Sequence, residues 1–341
     1  MRGDRGPASP GLEGLLGLPL GDHEVAVVTG DRSQQLETEE TWLVVHGVCA
    51  VSEPLLQLRA GAGGHLYGID LHHGHFAKVT GTMTPVIAAP LTYRGGTGRP
   101  LVLVHGLMGR GTTWSRQSPW LARLGAVYTY DAPWHRGRDG DDHQPVSTER
   151  FVDELASAVE SLGAPAVLIG HSMGALHSWC LAADRPELVS ALVLEDMAPD
   201  FVGLTTGAWE PWLHALPAQF PTAEAVLAEF GPVAGRYFLE AFDRTETGWR
   251  LHGTPQTWIA IAAEWGTRDY WQQWLSVRVP VLLIEAGDSV TPPGQMVHMA
   301  QSATAPVMYV RVPDSGHLVH DDAPEQYRAA VEAFIGELPP T

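Results

Sequence analysis

A serine between two glycines has the surroundings in this sequence that best suit covalent chemistry. The segment Gly170–Gly174 reads Gly-His-Ser-Met-Gly, follows an apolar run at 166–169 and precedes a helix-forming stretch at 175–183. A sharp turn from strand to helix exposes a serine hydroxyl, and glycines on both sides avoid the collisions that side chains would cause. We therefore predict that Ser172 is a nucleophile and that the Met173 N–H, at the helix N-terminus, binds an oxyanion.

A glycine-rich loop upstream could supply the second oxyanion donor. The segment 105–109 reads His-Gly-Leu-Met-Gly and directly follows an apolar run at 101–104. Glycines let a backbone approach a bound carbonyl closely, so we predict that the Leu107 N–H converges with that of Met173. We also expect three residues of this loop to contact substrate: His105, Gly106 and Met108.

A histidine near the C-terminus is placed to act as a general base. His317 follows the last predicted strand, at 307–310, and precedes the last predicted helix. Loops at the carboxyl ends of parallel strands meet at one edge of the sheet, so this imidazole can reach the Ser172 hydroxyl. We expect His320, in the same segment, to be peripheral.

The general base needs a carboxylate that orients its ring and stabilises the imidazolium, and two aspartates are candidates. Asp288 follows the predicted strand at 281–284, and Asp196 follows the one at 191–194. We favour Asp288 and keep Asp196 as the alternative. Adjacent residues of an extended chain point in opposite directions, so we do not expect Glu195 to take this role.

The elements that must position these residues follow from the hydrophobic pattern. From residue 84 onward, short apolar runs alternate with helical segments. Strands that are apolar on both faces are typical of a mostly parallel sheet with helices on both faces. We predict this α/β core for residues 84–196 and 276–341. Residues 1–83 are predicted to form an N-terminal extension, a disordered arm followed by a β-rich segment.

The segment between the two halves of the core, residues 197–275, contains seven of the 12 tryptophans. Its patterning is helical, and an apolar roof is typical of ligand pockets, so we predict a helical lid over the active site. We expect Trp209 and Trp212 of this lid to contact substrate, together with Trp134 of the core.

Taken together, these residues resemble the α/β hydrolases. The resemblance rests on His-Gly after a strand, the Gly-His-Ser-Met-Gly turn, an aspartate after the next-to-last strand and Gly-His after the last. Segments 195–199 and 286–290 are most similar to small bacterial lidded serine esterases and acyl-thioesterases. The resemblance covers about three-quarters of the chain and excludes residues 1–83. It departs from the family at Trp134 and Arg136, which stand where small residues are common.

The resemblance implies a serine hydrolase that cleaves carboxylic esters or thioesters of small to medium apolar or aromatic groups through an acyl-enzyme, with no metal or cofactor. Three alternatives stay open: a carbon–carbon bond hydrolase of the meta-cleavage type, a cofactor-free perhydrolase or haloperoxidase, and a non-catalytic receptor on the same scaffold. A histidine cluster at 72–75 lacks partners with a recognisable metal-ligand spacing, so we expect no metal there.

The acidic composition of the chain limits the classes of partner that it is expected to bind. The 341 residues carry 39 acidic and 21 basic side chains, a formal net charge of −18. Nucleic acids and anionic membranes attract basic surfaces, so we expect neither as a partner. The short apolar run at 14–20 is broken by glycines and a proline, which is not typical of a secretory signal. We therefore expect a cytoplasmic protein that acts on a small ester-like molecule and could form a homodimer.

Overall fold

The computed structural model describes the strands between residues 15 and 79, and then residues 90–135, 146–205 and 210–339. The chain divides into two compact units, residues 1–86 and 87–341. The histidine cluster at 72–75, and with it the question of a metal there, lies outside the described residues.

The first unit contains an antiparallel sheet of six strands that are joined in chain order. These strands are β1 (Leu15–Leu20), β2 (His23–Thr29), β3 (Trp42–Gly47), β4 (Leu56–Gly61), β5 (His65–Ile69) and β6 (Phe76–Val79). β1 lies in the segment that we expected to be a disordered arm. The leucine-rich run of β1 pairs with the valine-rich run of β2, and the proline in β1 is tolerated because β1 is an edge strand.

The second unit is built on a seven-stranded sheet. Its strands are β7 (Leu91–Gly95), β8 (Pro100–Val104), β9 (Ala126–Tyr130), β10 (Ala166–His171), β11 (Val189–Glu195), β15 (Val281–Ala286) and β16 (Val307–Val312). The order across the sheet is β16-β15-β11-β10-β8-β9-β7. All neighbours are parallel except β7, which pairs antiparallel with β9. The half-exposed edge strand β7 was not predicted from the sequence because its burial, and hence its apolar pattern, is weak.

Helices cover both faces of this sheet, as predicted. They are α1 (Ser118–Leu121), α2 (Thr148–Glu160), α3 (Met173–Asp184), α9 (Gln295–Ser302), α10 (Val319–Asp322) and α11 (Pro324–Glu337), with 3-10 turns at Gly111–Trp114 and Pro186–Leu188. Alternate residues of each central strand belong to different apolar clusters. In β10, for example, Leu168 packs in the cluster with α2 and α3, whereas Ile169 packs in the one with α1 and α11. Burial on both sides explains the continuous apolar runs.

The insertion, residues 197–275, lies between β11 and β15 and combines helices with a small sheet. Its elements are α4 (Glu210–Ala215), β12 (Gln219–Phe220), α5 (Ala223–Phe230), α6 (Pro232–Ala241), β13 (Asp243–Thr245), β14 (Gly248–Arg250), α7 (Pro255–Trp265) and α8 (Trp271–Ser276). The three strands form an antiparallel sheet, which our prediction of a helical segment did not include. Within the described ranges, no helix is long and apolar enough to cross a membrane.

Candidate active site

The turn between β10 and α3 places Ser172 at the carboxyl edge of the sheet. Ser172 has φ 50° and ψ −122°, a left-handed backbone conformation that non-glycine residues rarely adopt. Strain of this kind persists only where the surrounding structure imposes it, and it concentrates at functional sites. Ser172 is also the residue before the first turn of α3, so the amide of Met173 has no acceptor within the helix.

The two glycines of this turn are required by close contacts. A Cβ on Gly170 would lie 2.6 Å from the carbonyl oxygen of Gly174, and a Cβ on Gly174 would lie 2.2 Å from that of Val104. The turn therefore packs its backbone directly against the neighbouring strand β8, as the sequence motif requires.

His317 is paired with Asp196 and not with Asp288. Its Nδ1 atom lies 2.7 Å from Oδ2 of Asp196, whose side chain is completely buried. Asp288 is exposed in the loop after β15, where its backbone N–H donates to the Ser315 carbonyl. The preference for Asp288 as the partner of the base is therefore wrong, and the alternative, Asp196, has the geometry. The loop after β15 instead contributes Ser289, which donates a hydrogen bond to Asp196.

Asp196 is held as a carboxylate by the donors around it. Its Oδ1 accepts from the backbone N–H of Ala286 at 3.0 Å and from the Ser289 hydroxyl at 2.7 Å. Burial alone would raise the pKa of Asp196, but hydrogen bonding and charge from His317, together with these donors, hold it below its usual range. Asp196 also has φ 45°, so the chain turns sharply as it leaves β11.

The loop after β8 passes against Ser172. A Cβ on Gly106 would lie 3.3 Å from Cβ of Ser172 and 2.6 Å from Nδ1 of His171, so only glycine fits this position without movement. Leu107 and Met108 of the same loop line the cavity in front of Ser172. The loop is thus close enough to Ser172 for its backbone N–H groups to donate hydrogen bonds to the carbonyl oxygen of a bound substrate.

His105 was predicted to contact substrate, but it fixes the loop. It is fully buried; its Nε2 accepts from the backbone N–H of Ala132, and its Nδ1–H therefore donates to the Gly106 carbonyl at 2.8 Å. Both ring nitrogens are used, and among the described residues neither His105 nor Gly106 lines the cavity. His105 is held away from the cavity by its two hydrogen bonds, and the side-chain position of Gly106 faces the Ser172 turn.

The cavity in front of Ser172 has a volume of about 580 Å³ and is roofed by the insertion. Its lining residues are Leu107, Met108, His171, Ser172, Trp212, Phe230, Pro232, Val233, Ala234, Tyr237, Phe238, Gly316, His317, Leu318 and Asp322. Most are apolar, and of those described none is a lysine or arginine. One carboxylate is present at the rim, that of Asp322, which accepts a hydrogen bond from the Gly316 N–H at 2.6 Å.

Of the three tryptophans that we expect to contact substrate, Trp212 lies at the cavity. This residue lines the cavity and packs edge-on against Phe230. Trp209 lies outside the described residues. Trp134 does not line the described cavity; it packs on Phe151, with the Arg150 guanidinium 4.6 Å from its ring centre. Its indole packs on α2 instead.

Most other tryptophans of the insertion attach it to the core. Trp258, Trp265 and Trp274 are at most 3% exposed, and the Trp274 N–H donates to the Met299 carbonyl. Arg110, directly after the loop behind Ser172, donates to the Glu240 and Phe242 carbonyls at the end of α6. The roof is therefore anchored close to the candidate oxyanion loop.

A second carboxylate–histidine pair lies beside the first and was missed by sequence reasoning. Glu195, next to Asp196, binds His320, three residues after His317. His320 was expected to be peripheral, yet it is 1% exposed. The second pair could have been suggested by the sequence, because two adjacent acidic residues are matched by two histidines three residues apart.

Comparisons with known proteins agree with this architecture. A family model described as the alpha/beta hydrolase family matches residues 101–330. The putative non-heme bromoperoxidase BpoC of Mycobacterium tuberculosis is 28% identical over 261 residues, which cover 71% of this chain and 96% of that protein. The sn-1-specific diacylglycerol lipase ABHD11 of Mus musculus is 30% identical over 258 residues, covering 69% of this chain and 80% of that protein.

Solved structures share the fold as well. The crystal structure of an E-2-(acetamidomethylene)succinate hydrolase superposes with a TM-score of 0.63 at 20% identity, covering 80% of this chain and 96% of that one. Together with the sheet order and the strand–turn–helix at Ser172, the family match places the chain in a class of enzymes whose members are largely hydrolases. The chain belongs to the α/β hydrolase family.

Proposed function

We propose that this protein is a serine hydrolase that cleaves carboxylic esters or thioesters through an acyl-enzyme. The observation that carries the proposal is the His317–Asp196 hydrogen bond of 2.7 Å, on the loop that shares one cavity with Ser172. A buried carboxylate that accepts from Nδ1–H leaves Nε2 free to take a proton from a serine hydroxyl.

The reaction uses the chain's own groups. His317 removes the Ser172 proton as the hydroxyl oxygen attacks the substrate carbonyl, and the backbone N–H groups of Leu107 and Met173 stabilise the oxyanion. His317 then donates that proton to the departing alcohol or thiol, which leaves an acyl group on Ser172. Water, deprotonated by the same imidazole, releases the acid and restores the serine.

The cavity supports an uncharged acyl group of small to medium size, apolar or aromatic. Its walls are mainly aliphatic and aromatic, and the one carboxylate among the described lining residues, Asp322, would repel an anionic group. The relative named for a succinate acts on a molecule with two carboxylates, which this lining has no lysine or arginine to bind.

A substrate panel with the Ser172→Ala variant as control tests the proposal. We expect p-nitrophenyl butyrate and phenylacetate to be hydrolysed by the wild type and not by Ser172→Ala, and mono-p-nitrophenyl succinate to be a poor substrate. Esterase activity that survives in Ser172→Ala would refute the proposal. Turnover confined to a vinylogous diketone would identify the carbon–carbon hydrolase, and turnover that requires peroxide would identify the perhydrolase.

A further arm addresses the receptor alternative. A ligand that raises the melting temperature, together with no turnover of any ester of the panel by the wild type, would support a receptor. A homodimer and a cytoplasmic location remain predictions beside this proposal.

A further inference from the structure

We propose that Glu195, together with His320, is a positioning residue that fixes His317 relative to Ser172. The proposal rests on the proposed function, in which these two residues exchange a proton. Glu195 touches neither of the reacting side chains. It contacts both of the segments that carry them.

The backbone of Glu195 holds the nucleophile. Its carbonyl accepts a hydrogen bond from the Ser172 N–H at 2.9 Å, and this bond continues the β10–β11 ladder one residue beyond the end of β10. The strained turn at Ser172 is therefore hydrogen-bonded to the backbone of Glu195, at the end of β11.

The side chain of Glu195 holds the segment of the base. Its Oε1 accepts from the His320 backbone N–H at 3.0 Å, and the imidazole Nδ1 lies 2.8 Å from its Oε2. The backbone bond matters because it fixes the main chain three residues from His317, whereas Asp196 fixes only the imidazole ring. With Asp196 alone, the loop could pivot about that one ring.

Further contacts fix His320 itself. The Gln117 side-chain amide donates to the His320 carbonyl at 2.9 Å, and the imidazole stacks on Trp114 with ring centres 4.6 Å apart. His171 ties the same loop to the nucleophile turn, because its Nε2–H donates to the His317 carbonyl at 3.1 Å. The base segment is thus held to the Ser172 turn by Glu195 on one side and His171 on the other.

Because the Glu195–His320 pair is buried, a contribution to stability does not by itself explain it. Both side chains are at most 1% exposed, and removing two charges from water costs several kcal/mol, which their attraction often fails to recover. Apolar replacement of such a pair is often neutral or stabilising. A geometric role explains why a carboxylate is used at this position, since only an acceptor can bind the His320 N–H and Nδ1–H together.

The decisive variant replaces both partners with apolar side chains of similar size, Glu195→Met with His320→Phe. Sites are counted by end-point labelling of Ser172 with a fluorophosphonate, and kcat and KM are measured with p-nitrophenyl butyrate. We expect the melting temperature to stay within a few degrees and kcat per labelled site to fall about 100-fold, with KM almost unchanged, as for a misplacement of about 1 Å. A kcat per labelled site within twofold of the wild type overturns the proposal.

Two single variants sharpen the test. Glu195→Gln keeps a carbonyl acceptor for the His320 N–H, so we expect a smaller fall in kcat of about tenfold, and this variant decides alone if the double variant does not fold. Glu285→Gln is the matched control, because Glu285 is also buried near the end of a strand, β15, and binds the Tyr309 hydroxyl. Its kcat should not change, and an equal loss in both single variants would mean a general effect of neutralising buried acids.

Failure of this proposal and failure of the proposed function give different results. A wild type that is not labelled at Ser172 refutes the proposed function. A wild type that is labelled, beside variants with undiminished kcat, refutes the positioning role only.

Discussion

Replacing Asp196 with asparagine should abolish most of the activity, and the contacts of Asp196 say why. The backbone N–H of Ala286 can only donate, so the asparagine carbonyl must stay at the position of Oδ1, 3.0 Å from that nitrogen. The amide NH₂ then takes the position of Oδ2, 2.7 Å from Nδ1 of His317. It donates to Nδ1, which moves the ring proton to Nε2 and leaves no lone pair to accept the Ser172 proton.

The size of the loss follows from the burial of Asp196, whose side chain is fully buried, whereas that of His317 is 29% exposed. Breaking a buried ion pair costs about 3–5 kcal/mol, and His317 becomes an imidazolium in the proposed reaction, so this cost falls on the transition state. At about 1.36 kcal/mol for each factor of ten, kcat should fall by about 10²- to 10⁴-fold. The assay is kcat with p-nitrophenyl butyrate, normalised to folded protein.

The matched control is Asp288→Asn. Asp288 is exposed and contributes a backbone N–H to the Ser315 carbonyl, so its kcat should stay within about twofold of the wild type. Retained activity in Asp196→Asn, or a larger loss in Asp288→Asn, would rule out Asp196 as the carboxylate that orients His317.

Three further predictions concern stability, the loop and the roof. Burial lowers the pKa of His177 to about 3 and that of His252 to about 4. In the unfolded chain these imidazoles have a pKa of about 6.5, so on acidification they bind protons in the unfolded state first and the free energy of unfolding falls. Each of the two histidines should lower the free energy of unfolding by about 2 kcal/mol between pH 7.5 and pH 5. Urea unfolding of His177→Phe should show a decrease over this range that is smaller than that of the wild type by the same amount, and an identical decrease would contradict the prediction. Gly106→Ala should lower kcat at least tenfold, whereas Gly336→Ala, with no atom within 4 Å of the new Cβ, should leave kcat unchanged; equal kcat values would contradict the clash. Trp212→Ala should raise KM for phenylacetate esters about tenfold and spare kcat, and an unchanged KM would exclude Trp212 from the acyl site.

The core of the fold was predictable because its signal is local. A parallel strand that is buried on both faces needs a continuous apolar run, and β8, β10, β11 and β15 each contain one of four residues. The glycines around Ser172 are likewise required by contacts within a few residues of the turn and with β8. The edge strand β7 and the small sheet of the insertion are short and half exposed, so burial leaves little trace in their sequences.

The partner of the base could not be decided from sequence because two loops reach the same place. Asp196 and Asp288 both follow parallel strands at the same edge of the sheet, and only the distances separate a buried acceptor from an exposed one. The hydrogen bond from Ser289 shows that the second loop does contribute to the site, although not through its aspartate. For Trp134, the sequence places an indole in the loop after β9, and packing against α2 decides its direction.

Labelling with a fluorophosphonate probe, followed by peptide mapping, is the most direct test that Ser172 is the nucleophile. A serine that is activated by the His317–Asp196 pair attacks the phosphorus and keeps the adduct. We expect one adduct per chain in the wild type, located on Ser172, and none in Ser172→Ala. An adduct on another residue, or an unlabelled wild type that still hydrolyses esters, would contradict this expectation.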